Sequence, residues 1–215
     1  MKDWGNVHIN GVIQICLTKN HEKWLLSIGN DMHLKKWNLR LKRSQDSSIF
    51  NEIEADGDID YDFGEIHNGK VNSIAISYNK NKNILYSVGD DMEIKQYNLD
   101  SHKFEYGYKE AHSASIKHIQ TDPTDKYLFT FGEDLRLKQW IFSRRKNIDM
   151  FFIWKDYGQI HEGMLSSMLI SENGKILYTT GDDQIVKKWN VKHNLFVNQF
   201  AQVHKTSIIS IAQLP

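Results

Sequence analysis

The stretch LYTTGDDQIVKKW, residues 177–189, decides the fold of this chain because it recurs three more times in related form. The other copies are LLSIGNDMHLKKW (25–37), LYSVGDDMEIKQY (85–97) and LFTFGEDLRLKQW (128–140). Each copy is an apolar run, a turn of glycine and acidic or amide residues, and an alternating run that ends in an aromatic residue. This pattern predicts two antiparallel strands joined by a tight turn.

A histidine stands 28 to 30 residues before the aromatic end of each copy, and another aromatic residue stands four residues before that histidine. The aromatic–histidine pairs are Trp4–His8, Phe63–His67, Tyr108–His112, Tyr157–His161 and Phe200–His204. Apolar residues follow each histidine at four and seven positions, which predicts one more buried strand per unit. Successive histidines are 43 to 59 residues apart, and this period with four short strands per unit is typical of propeller blades.

The repeat divides the single domain 1–215 into four units and part of a fifth. The units cover approximately 1–41, 61–100, 104–142, 151–192 and, for the partial fifth, 196–215. The acidic and polar stretch 43–60 predicts a loop insertion in the first interval. We therefore predict an all-β propeller of four blades plus two extra strands, an outer one over 1–7 and an inner one over 206–213.

These features resemble the WD40-repeat family, whose fold is a β-propeller. The resemblance covers residues 4–214 and depends on several spaced features that recur together four times. It implies that a tetrad of His, Ser or Thr, Asp and an aromatic residue ties each blade together. The implied tetrads are His8, Ser27, Asp31 and Trp37; His67, Ser87, Asp91 and Tyr97; His112, Thr130, Asp134 and Trp140; and His161, Thr179, Asp183 and Trp189.

Physical chemistry supports such a tetrad without reference to the family. A buried imidazole and a buried carboxylate are costly unless they satisfy each other. A hydroxyl can bridge the imidazole to an indole N–H, which donates to it. The second unit departs from this pattern because Tyr97 replaces the tryptophan, and the dipeptide after the third strand is never Trp-Asp.

The strand count predicts an incomplete ring. In the family, the first outer strand completes the last blade, but here that blade would lack its two middle strands. Strands pair only at a spacing of about 4.8 Å. The innermost and outermost strands of that blade, which remain, could therefore not pair directly. We expect a longer protein, or less favourably a partner chain, to supply the missing blades. A compact four- or five-bladed closure with rearranged strands is the other alternative.

Motifs for catalysis, metals and cofactors are missing from the sequence. The recurrent histidines belong to different blades, the other five lack HxxxH or HExxH spacing, and the single Cys16 offers no plausible Cys–His pair. The acidic run 56–62 lacks the glycine and glutamate of a calcium loop, and no phosphate-binding loop or GxSxG occurs. We predict a chain without catalytic residues, metal ligands or cofactor.

The charge balance bears on possible partners. Lys and Arg total 27, as do Asp and Glu, which opposes binding to nucleic acid. The cluster Arg144, Arg145 and Lys146 is interpreted as a solvated loop after Trp140.

No apolar run approaches the ~20 residues of a membrane helix, and the N-terminal residues do not resemble a signal peptide. We expect no membrane insertion and a cytoplasmic location, with a cytoskeletal or organelle assembly left open.

The residue before each tetrad aspartate is expected to point to one rim of the propeller. The predicted rim residues are Asn30, Asp90, Glu133 and Asp182, with Lys70 and Met164 beside them. Three acids there would favour a basic peptide, although ordinary solvated turns give the same sequence. We therefore expect a non-catalytic scaffold that binds proteins or peptides through this rim. The alternative is a regulatory or targeting propeller within a longer, enzyme-containing chain. A third hypothesis is direct RNA binding, which the neutral charge balance opposes.

Overall fold

The computed structural model describes residues 7–18, 24–39, 59–78, 83–145, 148–200 and 204–212. Within these residues the chain forms sixteen β-strands and no helix, arranged as four antiparallel sheets of four strands. The predicted all-β, propeller-like architecture is therefore confirmed. The first six residues and most of the acidic stretch 43–60 lie outside the described residues, so the expected outer strand and the loop insertion are not seen.

Each sheet is built from four strands that are consecutive in sequence. Sheet 1 contains β1 (Val12–Leu17), β2 (Trp24–Gly29), β3 (His33–Asn38) and β4 (Ile59–Glu65). Sheet 2 contains β5 (Val71–Ile76), β6 (Ile84–Gly89), β7 (Ile94–Asn98) and β8 (Lys103–Tyr108). Sheet 3 contains β9 (Ile116–Thr121), β10 (Tyr127–Gly132), β11 (Arg136–Arg145) and β12 (Ile148–Gln159). Sheet 4 contains β13 (Leu165–Ile170), β14 (Ile176–Gly181), β15 (Val186–Asn190) and β16 (Leu195–Phe200).

The hairpin between the second and third strand of each sheet is the turn quoted from the sequence. In sheet 4 the Gln184 N–H donates to the Gly181 carbonyl at 3.1 Å, and Gln184 has a positive φ of 65°. The Asp183 carboxylate accepts the Ile185 N–H at 3.2 Å, which orders the turn from within. This local chemistry explains why the same short motif forms the same turn four times.

The sheets pack face to face in sequence order because their strands carry apolar residues on both faces. Leu26, Ile28 and Leu34 of sheet 1 share one core cluster with Val71 and Ile74 of sheet 2. Equivalent clusters lie between sheets 2 and 3 and between sheets 3 and 4. The first strands of all four sheets line a common cavity of about 380 Å³.

Two expectations about strands are wrong. Arg144 and Arg145 do not lie in a loop, because β11 continues to Arg145, which pairs with Ile148 of β12, whereas Lys146 lies outside the described residues. Aromatic and β-branched residues on both sides of the tip favour this longer hairpin. The described part of 206–213 forms no strand, because no neighbouring strand of the described chain pairs with it.

Candidate functional site

The structure brings the four members of the first sequence-derived tetrad together. His8 Nδ1 lies 2.7 Å from Asp31 Oδ1, and His8 Nε2 lies 2.8 Å from Ser27 Oγ. The Trp37 indole N–H donates to the same Ser27 Oγ at 2.8 Å. The histidine, serine and tryptophan are buried, so the chain of hydrogen bonds is shielded from water.

Sheets 3 and 4 repeat this arrangement with threonine in place of serine. His112 joins Asp134 and Thr130 at 2.9 and 2.7 Å, and the Trp140 indole N–H donates to Thr130 at 2.8 Å. In sheet 4, His161 lies 2.8 Å from Asp183 and 2.9 Å from Thr179. The Trp189 indole N–H donates to Thr179 at 3.0 Å.

Sheet 2 differs at the aromatic position. His67 joins Asp91 at 2.7 Å and Ser87 at 2.8 Å, but the Tyr97 hydroxyl donates to the Ile66 carbonyl at 3.1 Å. The expectation that Tyr97 completes the second tetrad is therefore wrong, because its hydroxyl stands on the far side of a six-membered ring. Burial, with the nearby charges of Asp91 and Glu93, raises the pKa of Tyr97 to about 12.

The geometry assigns a direction to each hydrogen bond in the tetrads. Since the aspartate accepts, the histidine Nδ1 carries a proton and donates, and Nε2 then accepts from the serine or threonine hydroxyl. Burial lowers the pKa of His112 and of His161, against the pull of their aspartates. For His112 and His161, the neutral imidazole with both nitrogens engaged is therefore the state that this network holds.

The tetrad aspartates are held as carboxylates. Burial alone would raise the pKa of Asp183, but hydrogen bonds from His161 and from the Glu162 and Ile185 N–H groups hold it below its usual range. The same balance lowers the pKa of Asp31, Asp91 and Asp134. Each carboxylate therefore fastens the turn that it belongs to onto the segment that follows the histidine.

Sequence reasoning missed a lysine that lies beside every tetrad. It stands four residues after the aspartate, and its Nζ donates to the carbonyl of the residue before the histidine. These lysines are Lys35, Lys95, Lys138 and Lys187. Their recurrence at a fixed position in all four copies of the quoted motif was the signal that could have identified them.

The rim residues lie directly beside this rigid network. Asn30, Asp90, Glu133 and Asp182 are exposed and each precedes a tetrad aspartate. Asn30 donates to the Asn10 carbonyl at 2.6 Å. The Asp182 side chain accepts the Met164 N–H at 3.0 Å, and the exposed Lys70 contributes its carbonyl to the Asp90 N–H.

Two of the three acidic residues on the rim share a lysine. Lys117 of sheet 3 lies between two of them, 3.3 Å from Asp90 and 3.0 Å from Glu133. Asp90 also accepts hydrogen bonds from Asn72 and Ser115 at 2.8 and 2.5 Å. Although burial opposes it, these partners lower the pKa of Asp90, so the rim carries a mixed-charge cluster and a separate acid at Asp182.

The described residues offer no group of three or more His, Cys, Asp and Glu side chains that could hold a metal ion. The tetrad histidines are instead distributed one to a sheet, as the sequence predicts. In the part of the chain that the structure describes, no helix has the length and apolar character needed to cross a membrane.

Comparison with known proteins places one repeat of the chain in a family. No curated protein matches the chain. The family described as WD domain, G-beta repeat matches residues 158–190, which cover the end of β12 and the strands β13, β14 and β15. This segment contains His161, Thr179, Asp183 and Trp189, the complete tetrad of sheet 4. The resemblance to the WD40-repeat family is therefore confirmed over residues 158–190.

Proposed function

We propose that this chain is a non-catalytic protein-interaction scaffold that binds peptides or proteins through the rim formed by Asn30, Asp90, Glu133 and Asp182. The four sheets would then be blades of an incomplete propeller ring, within a longer protein or a multi-subunit assembly. The cytoplasmic location expected from the sequence belongs to the same proposal. Analogy with the fold of WD40 repeats supports protein binding in general. The exposed rim residues support this particular surface as the binding site.

The observation that carries the proposal is the rigid support beneath an exposed polar rim. Each rim residue is covalently next to an aspartate whose carboxylate is fixed by a buried histidine, for example Asp182 beside Asp183. A preorganised surface loses little conformational entropy when a partner binds. Surface residues that served only solubility would gain nothing from a neighbouring aspartate that is fixed by a buried histidine.

The tetrad chemistry supports a role without catalysis. A general base needs an imidazole nitrogen that can reach a substrate. In His112, for instance, Nδ1 is engaged with Asp134 and Nε2 with Thr130, and the ring is buried. The same holds for His8, His67 and His161, so these histidines are committed to structure.

Charge on the rim predicts the chemistry of the partner. Asp182 is exposed, and among the described residues its carboxylate accepts a hydrogen bond only from the Met164 backbone N–H. It can therefore pair with a lysine or arginine of a peptide, whereas Asp90 and Glu133 already share Lys117. We expect the partner to place a basic residue at Asp182 and a polar residue at the Lys117 cluster.

A library of short peptides that differ in net charge tests the proposal. The intact chain is expected to select basic peptides, and Asp182→Lys is expected to weaken the best one by about tenfold or more. Glu172→Lys, which makes the same charge reversal in the turn between β13 and β14, is the matched control and should bind normally. Equal loss in both variants, or selection without regard to charge, would contradict the proposed rim.

A further inference from the structure

The tripeptide Asn-Gly-Lys occurs twice in the chain, at 68–70 directly after the tetrad histidine of sheet 2 and at 173–175 between β13 and β14. Both asparagines are exposed, and both glycines have a positive φ, of 120° at Gly69 and 66° at Gly174. A third Asn-Gly pair, at 10–11, is followed by valine and is not matched to these two. The two tripeptides therefore share sequence and exposure, and the hydrogen bonds of their loops distinguish them.

An asparagine that precedes glycine is open to spontaneous deamidation, because glycine has no side chain to hinder attack by its own nitrogen. The glycine N–H loses its proton, and its nitrogen forms a bond to the side-chain carbonyl carbon of the asparagine. The side-chain amide nitrogen leaves as ammonia with that proton, and a five-membered succinimide ring remains. Water then adds to the ring. Opening at the side-chain carbonyl gives Asp, and opening at the backbone carbonyl gives isoAsp.

This reaction has two structural requirements. The glycine N–H must be free to lose its proton, since a nitrogen that still donates a hydrogen bond has no lone pair for the attack. The asparagine side chain must also be free to turn its carbonyl carbon toward that nitrogen. A loop that engages either group in hydrogen bonds therefore slows the reaction, because those bonds must break first.

Both requirements are blocked at Asn173. Its Oδ1 accepts hydrogen bonds from Ser171 Oγ at 2.8 Å and from the Lys175 N–H at 3.0 Å, which hold the side chain in one orientation. The Gly174 N–H donates to the Ser171 carbonyl at 2.8 Å, which holds the proton that the reaction must remove. Ser171 Oγ also accepts the Ile176 N–H at 3.0 Å and is thereby fixed itself. The turn between β13 and β14 therefore protects Asn173.

Neither requirement is blocked at Asn68. Among the residues that the structure describes, the Asn68 side-chain amide has no hydrogen-bond partner, and the Gly69 N–H has no acceptor. The loop is anchored on either side of the reacting pair. The Asn68 N–H donates to Asp91 Oδ2 at 3.0 Å, and the Lys70 carbonyl accepts the Asp90 N–H at 3.0 Å. The loop thus keeps its place on the rim while the two reacting groups stay free.

From these observations we propose that Asn68 is a site of spontaneous deamidation, whereas Asn173 is protected by its turn. The products, Asp and isoAsp, place a new carboxylate on the residue whose N–H bonds to Asp91. The rim residue Asp90 is also close, because a Cβ on Gly69 would lie 3.2 Å from its Cβ. The rim of sheet 2 therefore gains a negative charge as the molecule ages. This inference goes beyond the scaffold proposal and does not depend on it.

Ageing of the intact chain in mildly alkaline buffer tests the proposal. Peptides from successive times are analysed by mass spectrometry, and isoAsp is identified by methyl transfer from a protein carboxyl methyltransferase that recognises it. Asn68 should convert about tenfold or more faster than Asn173, because the hydrogen bonds around Asn173 must break before it reacts. In the urea-unfolded chain the two rates should become similar, since Gly and Lys follow both asparagines.

Two variants separate the loop chemistry from other causes. Asn68→Gln should abolish the acidic species that anion-exchange chromatography resolves on ageing, because glutamine would need a larger ring that forms far more slowly. Ser171→Ala removes the hydroxyl that holds the Asn173 side chain. Asn173 should then convert about threefold or more faster, while Asn68 in the same molecules keeps its rate and is the internal control.

Three results would overturn the assignment. One is equal conversion of Asn68 and Asn173 in the folded chain. Another is a rate ratio that persists unchanged in urea, since the preceding residues, His67 and Glu172, would then set the rates and not the fold. The third is an unchanged rate at Asn173 in Ser171→Ala, which would show that its turn gives no protection.

Discussion

At the scale of single residues, the molecule is organised around aspartates that stand at the edge of the core. Asp183 has its side chain almost fully covered and accepts from His161 and from two backbone N–H groups. Asp182, its neighbour, is exposed and accepts one backbone N–H. Two adjacent residues of the same type therefore have different roles, one in stability and one on the surface.

Replacing each of these aspartates by alanine separates the two roles. Asp183→Ala is expected to lower the free energy of unfolding by about 2–3 kcal/mol, because it leaves a buried imidazole N–H and two amides without acceptors. Asp182→Ala is expected to cost about 1 kcal/mol or less. Urea denaturation followed by tryptophan fluorescence measures both values. Equal losses would contradict the buried network.

The tetrads also predict how stability depends on pH. Burial lowers the pKa of His112 and His161 from 6.5, so the unfolded chain binds protons more readily than the folded chain. Stability from these groups is fully present above pH 6.5 and is lost as pH falls through the lower folded pKa. The carboxylates Asp134 and Asp183 have a pKa lowered from 3.8, which adds a further loss at more acidic pH.

Thermal unfolding between pH 7.5 and 4 measures this dependence, since the range begins above the ordinary histidine pKa of 6.5 and extends well below it. We expect the midpoint to fall steadily on acidification. His112→Gln should be less stable at neutral pH and should show a shallower fall, because one of the two groups that take up a proton on unfolding is gone. A midpoint that rises between pH 7 and pH 5 would contradict neutral, buried imidazoles.

Much of the residue chemistry could be predicted from the sequence, and the exceptions have physical reasons. The four-residue spacing of Thr179 and Asp183 recurs in every unit, and a histidine stands 18 to 20 residues before the hydroxyl residue, so their juxtaposition follows once the hairpin is recognised. The Tyr97 hydroxyl bonds to the Ile66 carbonyl and not to Ser87, and Lys117 lies between Asp90 and Glu133. Both depend on contacts across a sheet or between sheets. Such contacts have no fixed spacing in sequence.

At the scale of secondary-structure elements, a glycine allows each hairpin to approach the tetrad histidine closely. A Cβ on Gly89 would lie 2.5 Å from the Lys70 carbonyl oxygen and 3.0 Å from the His67 ring. Backbone and a buried ring cannot move aside without breaking the network. The glycine that precedes the rim residue is therefore required by packing, which explains why the turn motif begins with glycine in all four copies.

Gly89→Ala is expected to lower the free energy of unfolding by about 1–3 kcal/mol through overpacking. Gly107→Ala in β8 is the matched control, because its Cβ would meet the end of the exposed Phe104 ring at 3.2 Å and Glu93 Oε2 at 3.9 Å, which are both side-chain atoms and not backbone. The control should change stability by about 0.5 kcal/mol or less. Guanidinium denaturation of the two variants provides the comparison, and a larger loss in Gly107→Ala would refute the close approach.

The elements that the sequence did not predict are those without a local signal. Alternation and turn residues predict the hairpins, but the basic residues at 144–146 interrupt the apolar pattern, so the sequence predicts a loop where β11 and β12 are extended. The segment 206–213 carries a strand pattern and yet forms no strand over its described part. A pattern of apolar residues specifies which side is buried, whereas a strand also needs a neighbour to pair with.

At the scale of the whole molecule, polar side chains connect neighbouring sheets at their inner strands. The Gln14 amide of sheet 1 donates to the Ile74 carbonyl at 3.0 Å and accepts the Ile74 N–H at 2.9 Å. Thr121 of sheet 3 donates to the Ile76 carbonyl of sheet 2 at 2.8 Å. His118 of sheet 3 lies 3.0 Å from the Leu165 carbonyl of sheet 4. These bonds fix the order of the sheets around the central cavity.

Gln14→Ala tests this connection between sheets. The variant leaves the Ile74 N–H without its acceptor, so we expect a loss of about 1–2 kcal/mol and faster hydrogen exchange in β1 and β5. Exchange in β13 should not change. Gln199→Ala on the exposed strand β16 is the control and should behave as the parent protein. Unchanged exchange at Ile74 in Gln14→Ala would show that the apolar cluster alone holds the two sheets together.

The measurement that tests the central claim most directly is the nitrogen NMR spectrum of the ten histidine side chains. The claim is that four sheets are each fastened by a neutral histidine protonated on Nδ1 and accepting at Nε2. We predict that His8, His67, His112 and His161 show this tautomer at neutral pH, with ring protons protected from exchange with water. Assignment follows from single His→Gln variants. Rapidly exchanging or Nε2-protonated imidazoles at these four positions would contradict the account.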